Sequence, residues 1–221
     1  MKEQKKHSKI YKIDGVGVNL SRFHAITKHE KSILRKELGF SEGDFIITIV
    51  AELNKNKNQI MLIRHAIELK KEIPSLKILL IGKETLPIVR EYVQHYNIND
   101  VVFFLGYRKD VDKLTMISDI AFSASIREGL PVNIIEAMAC GIPVVCSDNR
   151  GHRSLISHKI TGFIFNIKSD QEMIEFIIDL YKNPLLREEI GKRNVIEAQK
   201  YSVDIAIKKM AAIYNSLIYE N

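Results

Sequence analysis

Six stretches of the chain are apolar without alternation: residues 45–50, 77–82, 101–106, 119–125, 143–148 and 161–166. Uninterrupted apolar strands are expected where helices cover both faces of a sheet, because neither face then needs a polar residue. Between and after these runs the apolar residues recur at helical spacing. Helices are predicted over 27–38, stopped by Gly39, over about 15 residues after the polar loop 52–58, and from 83–87 to about 96. Further helices are predicted over 111–117, from Pro131, after 149–153, and over 169–181, 184–200 and 203–219. Pro184 suits a first helical position, and Ile205, Met210, Ile213 and Leu217 give the last helix an apolar face that is expected to be buried. Residues 1–9 read as a loose charged start and 10–13 as a short strand that turns at Gly15 and Gly17. Strands alternating with helices predict one doubly wound α/β domain with about six parallel strands.

The chemistry gathers in residues 119–151, which read as strand, polar corner, helix and strand. The corner Arg127-Glu128-Gly129-Leu130-Pro131 falls beyond the carboxyl end of a strand, where open α/β sheets bind ligands. Pro131 suits the first helical turn, since the N–H it lacks would have had no acceptor there. The free amides of Val132 and Asn133, together with the helix dipole, then make an anion site suited to a diphosphate. Glu128 lies before this helix and Glu136 within it, so one carboxylate is free to face the reacting end of a ligand and the other its far end. A carboxylate accepts two hydroxyl hydrogen bonds at once, which matches the paired hydroxyls of a ribose or a hexose. For two glutamates at this separation alone, solvated or capping roles are the usual outcome.

Composition narrows the setting. At 221 residues and 46% hydrophobic, the chain buries a full core. No apolar run reaches the roughly 18 residues that suggest a membrane span, and the basic start from Met1 lacks a signal-peptide core, so a cytoplasmic location is expected. The net charge of +6 suits anionic ligands or the acidic inner face of a membrane, where peripheral association is an expectation. The lysines are spread rather than massed and no nucleic-acid motif is present, so no nucleic-acid partner is expected. Cys140 and Cys146 match no zinc or redox spacing and read as buried packing.

Lys57 sits near a helix start, against the preference of the dipole, which hints at an anionic ligand; a solvated lysine is the bland reading. A P-loop is excluded because Gly82-Lys83 is followed by Glu84 and position 77 is lysine. A dinucleotide fingerprint is excluded because Glu84 and Pro87 stand where its further glycines belong. Asp110 reads as an N-cap, and Arg108 touches either ligand or solvent. His152 is a candidate acid–base group on its near-neutral pKa, with a surface histidine in a basic loop as the alternative.

The string Glu128-Gly-Leu-Pro, four residues, then Glu136-Ala-Met-Ala-Cys-Gly-Ile-Pro-Val-Val resembles the signature of the retaining, nucleotide-sugar-dependent glycosyltransferases of family 4, which adopt the GT-B fold. Residues 15–23 resemble the lead into that family's donor half, with Asn19 where aspartate is usual. Lys57 matches the lysine of the family's basic pair, while Glu52 replaces its arginine. Phe104-Leu105-Gly106 matches a strand end whose main chain lies against the nucleotide base.

The resemblance covers nearly the whole chain but only half of a usual enzyme. It implies the Rossmann-like C-terminal half of a GT-B fold. Residues 1–24 then form an N-terminal segment with a lead-in strand, and 25–221 a nucleotide-sugar-binding domain with C-terminal helices; the N-terminal acceptor domain is absent. The terminal helices are implied to pack across the boundary between the halves. By resemblance Glu128 is catalytic and faces the transferred sugar, Glu136 holds the ribose, and Lys57 with the Val132 and Asn133 amides holds the diphosphate. Arg108, Gly129, Leu130 and Pro131 complete the implied donor site. The implied reaction moves a hexosyl group from a nucleotide-diphosphate sugar to a glycan or lipid-linked acceptor in capsule, exopolysaccharide or lipopolysaccharide synthesis, with no metal and no cofactor. Three alternatives remain: a non-catalytic binding subunit that works with a separate acceptor-domain chain, a truncated remnant, and a nucleotide-sugar epimerase of GT-B architecture.

Overall fold

The computed structural model describes residues 10, 11, 13, 15 and 17–219. Strands β1 (Phe45–Val50), β2 (Leu76–Ile81), β3 (Val102–Gly106), β4 (Ile120–Ser123), β5 (Val144–Ser147) and β6 (Gly162–Phe165) form one parallel sheet in the order β3-β2-β1-β4-β5-β6. The strand order reverses between β1 and β4, whose Ile47 and Thr48 pair with Ile120 and Ala121. That reversal opens a crevice at the carboxyl ends of the two strands, the switch point where such sheets receive ligands.

Alternation within the apolar runs sorts side chains to two cores. Phe45, Ile47 and Ile49 of β1 pack on one face with Ile78 and Leu80 of β2, while Ile46 packs on the other with Leu79 and Ile81. Both faces are covered by helices, which is why apolar residues dominate these strands, with only Thr48 and Lys77 polar in β1 and β2. The helices are α1 (Lys28–Glu37), α2 (Ile60–Ile63), α3 (Ala66–Glu72), α4 (Ile88–His95), α5 (Val111–Met116), α6 (Val132–Ala139), α7 (Arg150–Arg153), α8 (Asp170–Lys182), α9 (Pro184–Ala198) and α10 (Val203–Tyr219). Thr27 and Glu30 close a reciprocal capping box at the start of α1, which fixes its first turn. Pro184 begins α9, as its fixed φ favours. Cys140 and Cys146 are free and buried, in keeping with a packing role.

The structure departs from the periodicity at several places. The single helix expected after residue 58 is two, α2 and α3, because the backbone leaves helical geometry at His65 (φ −103°, ψ 7°). The ring of His65 is held there by Asp170 of α8 and by Glu68. Pro131 is the residue before α6 rather than within its first turn, with extended geometry. Asp110 occupies the cap position of α5 but makes no capping bond, since Arg108 takes its carboxylate. The apolar face of α10 is incompletely covered: Ile205 and Leu217 remain 37% and 39% exposed. Ile10, Tyr11 and Ile13 lie in no strand, and residue 12 of the expected lead-in strand falls outside the described residues, as do the charged start 1–9, Asp14 and Val16.

Candidate functional site

Two loops that leave the sheet on either side of the strand-order reversal build the site. The loop after β1 carries Asn54 to Asn58, and the loop after β4 carries Ile126 to Pro131. Asn56 stitches them together. Its carbonyl accepts from the Ile126 amide at 2.8 Å, its side-chain amide donates to the Arg127 carbonyl at 3.1 Å, and its side-chain oxygen accepts from the Arg127 amide at 3.2 Å. The Asn54 side chain accepts from the Lys57 amide at 3.0 Å, which sets the turn that points Lys57 across the crevice. There the Lys57 ammonium meets the Glu128 carboxylate at 2.5 Å, with the two side chains only 25% and 12% exposed.

Glu128 rests on Gly151, the second residue of α7. A Cβ built at Gly151 would stand 2.6 Å from the Glu128 Cβ and 2.8 Å from its carbonyl carbon, so only glycine permits this approach. Sequence reasoning passed over Gly151 and Asn56, because neither belongs to a spacing pattern and both act through contacts remote in sequence. Gly129 is exposed with open space around it. Leu130 packs toward the core and over Gly15, and Pro131 is buried.

Helix α6 points its amino terminus into the crevice. The amides of Ile134 and Ile135 turn back to the Pro131 carbonyl, whereas the amides of Val132 and Asn133 carry no hydrogen bond among the described residues. Asn133 spends its side chain on the Val50 carbonyl at the end of β1, at 3.0 Å, and so pins the helix start to the sheet. Two aligned free amides at a helix start form an anion cradle.

Glu136, one turn further along α6, lies in different surroundings from Glu128. It is half-buried and has no hydrogen-bonding partner among the described residues. Burial pushes its pKa up to about 7; the nearby positive charge of Arg22 acts the other way and Asp112 adds to the rise. Arg22, noted in the sequence only as part of the lead-in, is itself tied to Asp112 at 3.2 Å. Arg108 lies at the end of β3, paired with Asp110 through two bonds of 2.8 and 2.6 Å, and Tyr107 beside it is 81% exposed. The Glu52 side chain is exposed, and the Gln59 side chain donates to the Glu52 carbonyl at 2.9 Å.

His152 is neither at the surface nor available to a ligand. It is fully buried, its Nδ1 lies 2.7 Å from the Ser147 carbonyl, and its Nε2 has no hydrogen-bond partner among the described residues. Burial lowers its pKa, which disfavours the charged ring, and the same Nδ1 lies 2.9 Å from the Asn149 side-chain amide. That position makes it part of the packing behind the Glu128 loop.

Beside the crevice at the switch point, hereafter the trough, lie the Lys57–Glu128 pair, the free amides at the start of α6 and, one turn along that helix, Glu136. Known proteins resemble the chain in sequence and fold. The sequence model described as "Glycosyl transferases group 1" matches residues 30–195. EpsD of Bacillus subtilis (strain 168), which is named as a glycosyltransferase, is 35% identical over 214 residues, 96% of this chain and 56% of its own length. An undecaprenol-linked N-acetylgalactosaminyltransferase of Campylobacter jejuni is 28% identical over 96% of this chain and 56% of its own. The crystal structure of HepE from Anabaena in complex with UDP and glucose superposes with a TM-score of 0.81 at 24% identity, covering 90% of this chain and 55% of that one. The chain thus spans about half the length of the relatives it matches, and its fold is that of the C-terminal half of a GT-B glycosyltransferase. By its sequence and its six-stranded sheet, the chain belongs to the group 1 glycosyltransferase family.

Proposed function

We propose that this chain is the donor-binding half of a retaining glycosyltransferase that passes a sugar from a nucleotide diphosphate to a glycan or lipid-linked acceptor during polysaccharide assembly. The observation that carries the reading is the pair of free amides at Val132 and Asn133, flanked by Lys57 and Glu128 on one side and the unpaired Glu136 on the other. In this reading the diphosphate lies on the amides, the ribose hydroxyls donate to Glu136, and the sugar turns toward Glu128. Charge builds on the departing diphosphate in the transition state. Fixed amides and one ammonium stabilise it there without a metal ion. The undecaprenol-linked transferase supports a lipid-linked acceptor, and the UDP and glucose in HepE support a sugar nucleotide as donor.

Calorimetry on the purified chain with uridine, guanosine and adenosine diphosphates and their sugars tests this. Loss of a charge-assisted hydrogen bond costs about 1.5 to 3 kcal/mol, so Glu136→Ala is expected to weaken the preferred nucleotide roughly 10- to 150-fold. Glu128→Ala is expected to spare the free nucleoside diphosphate and weaken the intact sugar nucleotide. Unchanged affinity in a folded Glu136→Ala protein removes the ribose assignment, and equal losses for both ligands in Glu128→Ala remove the proposed orientation. Conversion of a sugar nucleotide with no acceptor present would point to an epimerase instead.

A further inference from the structure

At the amino-terminal edge of the sheet, the opposite end from the trough, α1 and α9 border a cavity of about 720 Å³. Its floor is Ser118 and Asp119 before β4 and Ile142 with Pro143 before β5. The charge here is unbalanced. Lys28, Lys31, Arg35, Arg187 and Lys192 line the cavity with Glu42, Asp119 and Glu188, an excess of two positive charges. Asp119 serves two cations at once, Lys31 at 3.0 Å and Arg35 at 2.6 Å.

Arg187 has no carboxylate partner within salt-bridge distance among the described residues. Its Nη1 donates to the Leu180 and Tyr181 carbonyls at the end of α8, and its guanidinium lies 5.3 Å from the centre of the Phe45 ring. No hydrogen bond among the described residues reaches its Nε or Nη2. Burial lowers the pKa of both Lys31 and Arg187, against the opposing effect of the Asp119 charge. The first turn of α9 adds to the imbalance: Asn183 gives it no side-chain cap, and Leu185 in that turn lines the cavity. A purely structural ion network explains Lys31 and Arg35, whose hydrogen bonds tie α1 to the sheet. It explains neither the free edge of Arg187 nor the hollow beside it.

We propose that this cavity is a second anion site, holding the phosphomonoester group of a small organic phosphate against Arg187, Lys31 and the first turn of α9. The two-charge excess matches a phosphomonoester, which carries close to two negative charges at neutral pH. The free Nε and Nη2 of Arg187 form the fork that binds two phosphate oxygens together. Ile26, Met116, Ile142 and Val195 supply an apolar wall for the carbon skeleton, and the volume falls in the range of small-molecule pockets. No residue is shared with the trough.

Titration of the ¹⁵N-labelled chain with inorganic phosphate and with glucose 6-phosphate at low salt tests the site. Saturable shifts are expected at Lys31, Leu185 and Arg187, with a dissociation constant at or below about 1 mM. Arg187→Gln is expected to weaken binding about 10-fold or more. Because Arg187 also anchors the end of α8, Leu185→Glu, at a position 81% exposed, is the second variant; it places a negative charge at the rim and is expected to weaken binding without disturbing the fold. Both variants are expected to leave nucleotide-induced shifts at residues 132 and 133 unchanged, which separates this site from the trough. Vesicles containing phosphatidate, in parallel, tell a lipid headgroup from a soluble phosphomonoester as the source of the group. The proposal is overturned by shifts confined to the trough, by no saturation with either source, or by wild-type affinity in folded Leu185→Glu.

Discussion

Glu136 has a carboxylate whose charge the protein opposes. Burial raises its pKa from 4.5 to about 7, so the folded chain holds a proton there that the unfolded chain releases. Stability attached to this group is therefore lost as pH rises from about 4.5 to 7, on the order of 3 kcal/mol in all. Glu136→Gln is expected to raise the unfolding free energy at about pH 8 by roughly 1 to 3 kcal/mol while weakening nucleotide binding, which urea denaturation and calorimetry read independently. Ribose hydroxyls favour the ionised form, so wild-type affinity for a sugar nucleotide is expected to fall as pH drops below 7, approaching tenfold per unit. A flat affinity profile between about pH 6 and 8 contradicts the assignment. Gly151 is a second residue with an outsized effect. Gly151→Ala places a methyl group against Glu128 and is expected to cost about 1 to 3 kcal/mol in stability and to lower turnover of the complete enzyme more than nucleotide affinity.

Elements divide into those that local pattern determines and those that distant contacts shape. The six strands and helices α1, α6, α8 and α9 follow from uninterrupted apolar runs, caps and prolines, all readable along the chain. The gap between α2 and α3 is not readable, because apolar residues continue through it at helical spacing; it arises from the bond between His65 and Asp170, 105 positions away. The site splits the same way. Glu128, Pro131, the amides of Val132 and Asn133, and Glu136 are legible in one local string. The meeting of Lys57 with Glu128 and the stitching by Asn56 span 71 positions and depend on the reversal between β1 and β4. Burial alone would lower the pKa of His65, but its bonds to Asp170 and Glu68 outweigh that and raise it. The tie between α3 and α8 is thus strongest below the ordinary histidine pKa of about 6.5 and weakens as pH rises through the higher folded value. The gap in melting temperature between wild type and His65→Gln is expected to narrow from about pH 6 to pH 8; a constant gap would show that charge on the ring contributes nothing.

On the scale of the whole molecule, the family resemblance implies that the trough is half of a cleft. No helix among the described residues is long and apolar enough to cross a membrane. The flank of α10 is uncovered: Ile207, Tyr214 and Ile218 are 61%, 58% and 66% exposed. The family resemblance implies that the terminal helices meet an acceptor domain. Ile207→Glu and Ile218→Glu are accordingly expected to change the stability of this chain by no more than about 0.5 kcal/mol, as at ordinary surface positions, while weakening its association with an acceptor-domain half. A large loss of stability in the isolated chain, measured by denaturant titration, would place these residues in its own core instead.

The close pairing of Lys57 with Glu128 has a kinetic corollary under the proposed reading. A bound diphosphate draws the ammonium away, and the abandoned carboxylate then needs the hydroxyls of the sugar as substitutes. Once the sugar has departed, those substitutes are gone and Glu128 reclaims its lysine. The spent nucleotide thereby loses a ligand at the moment it must leave, so the same contact that guards the empty trough also hastens its clearing.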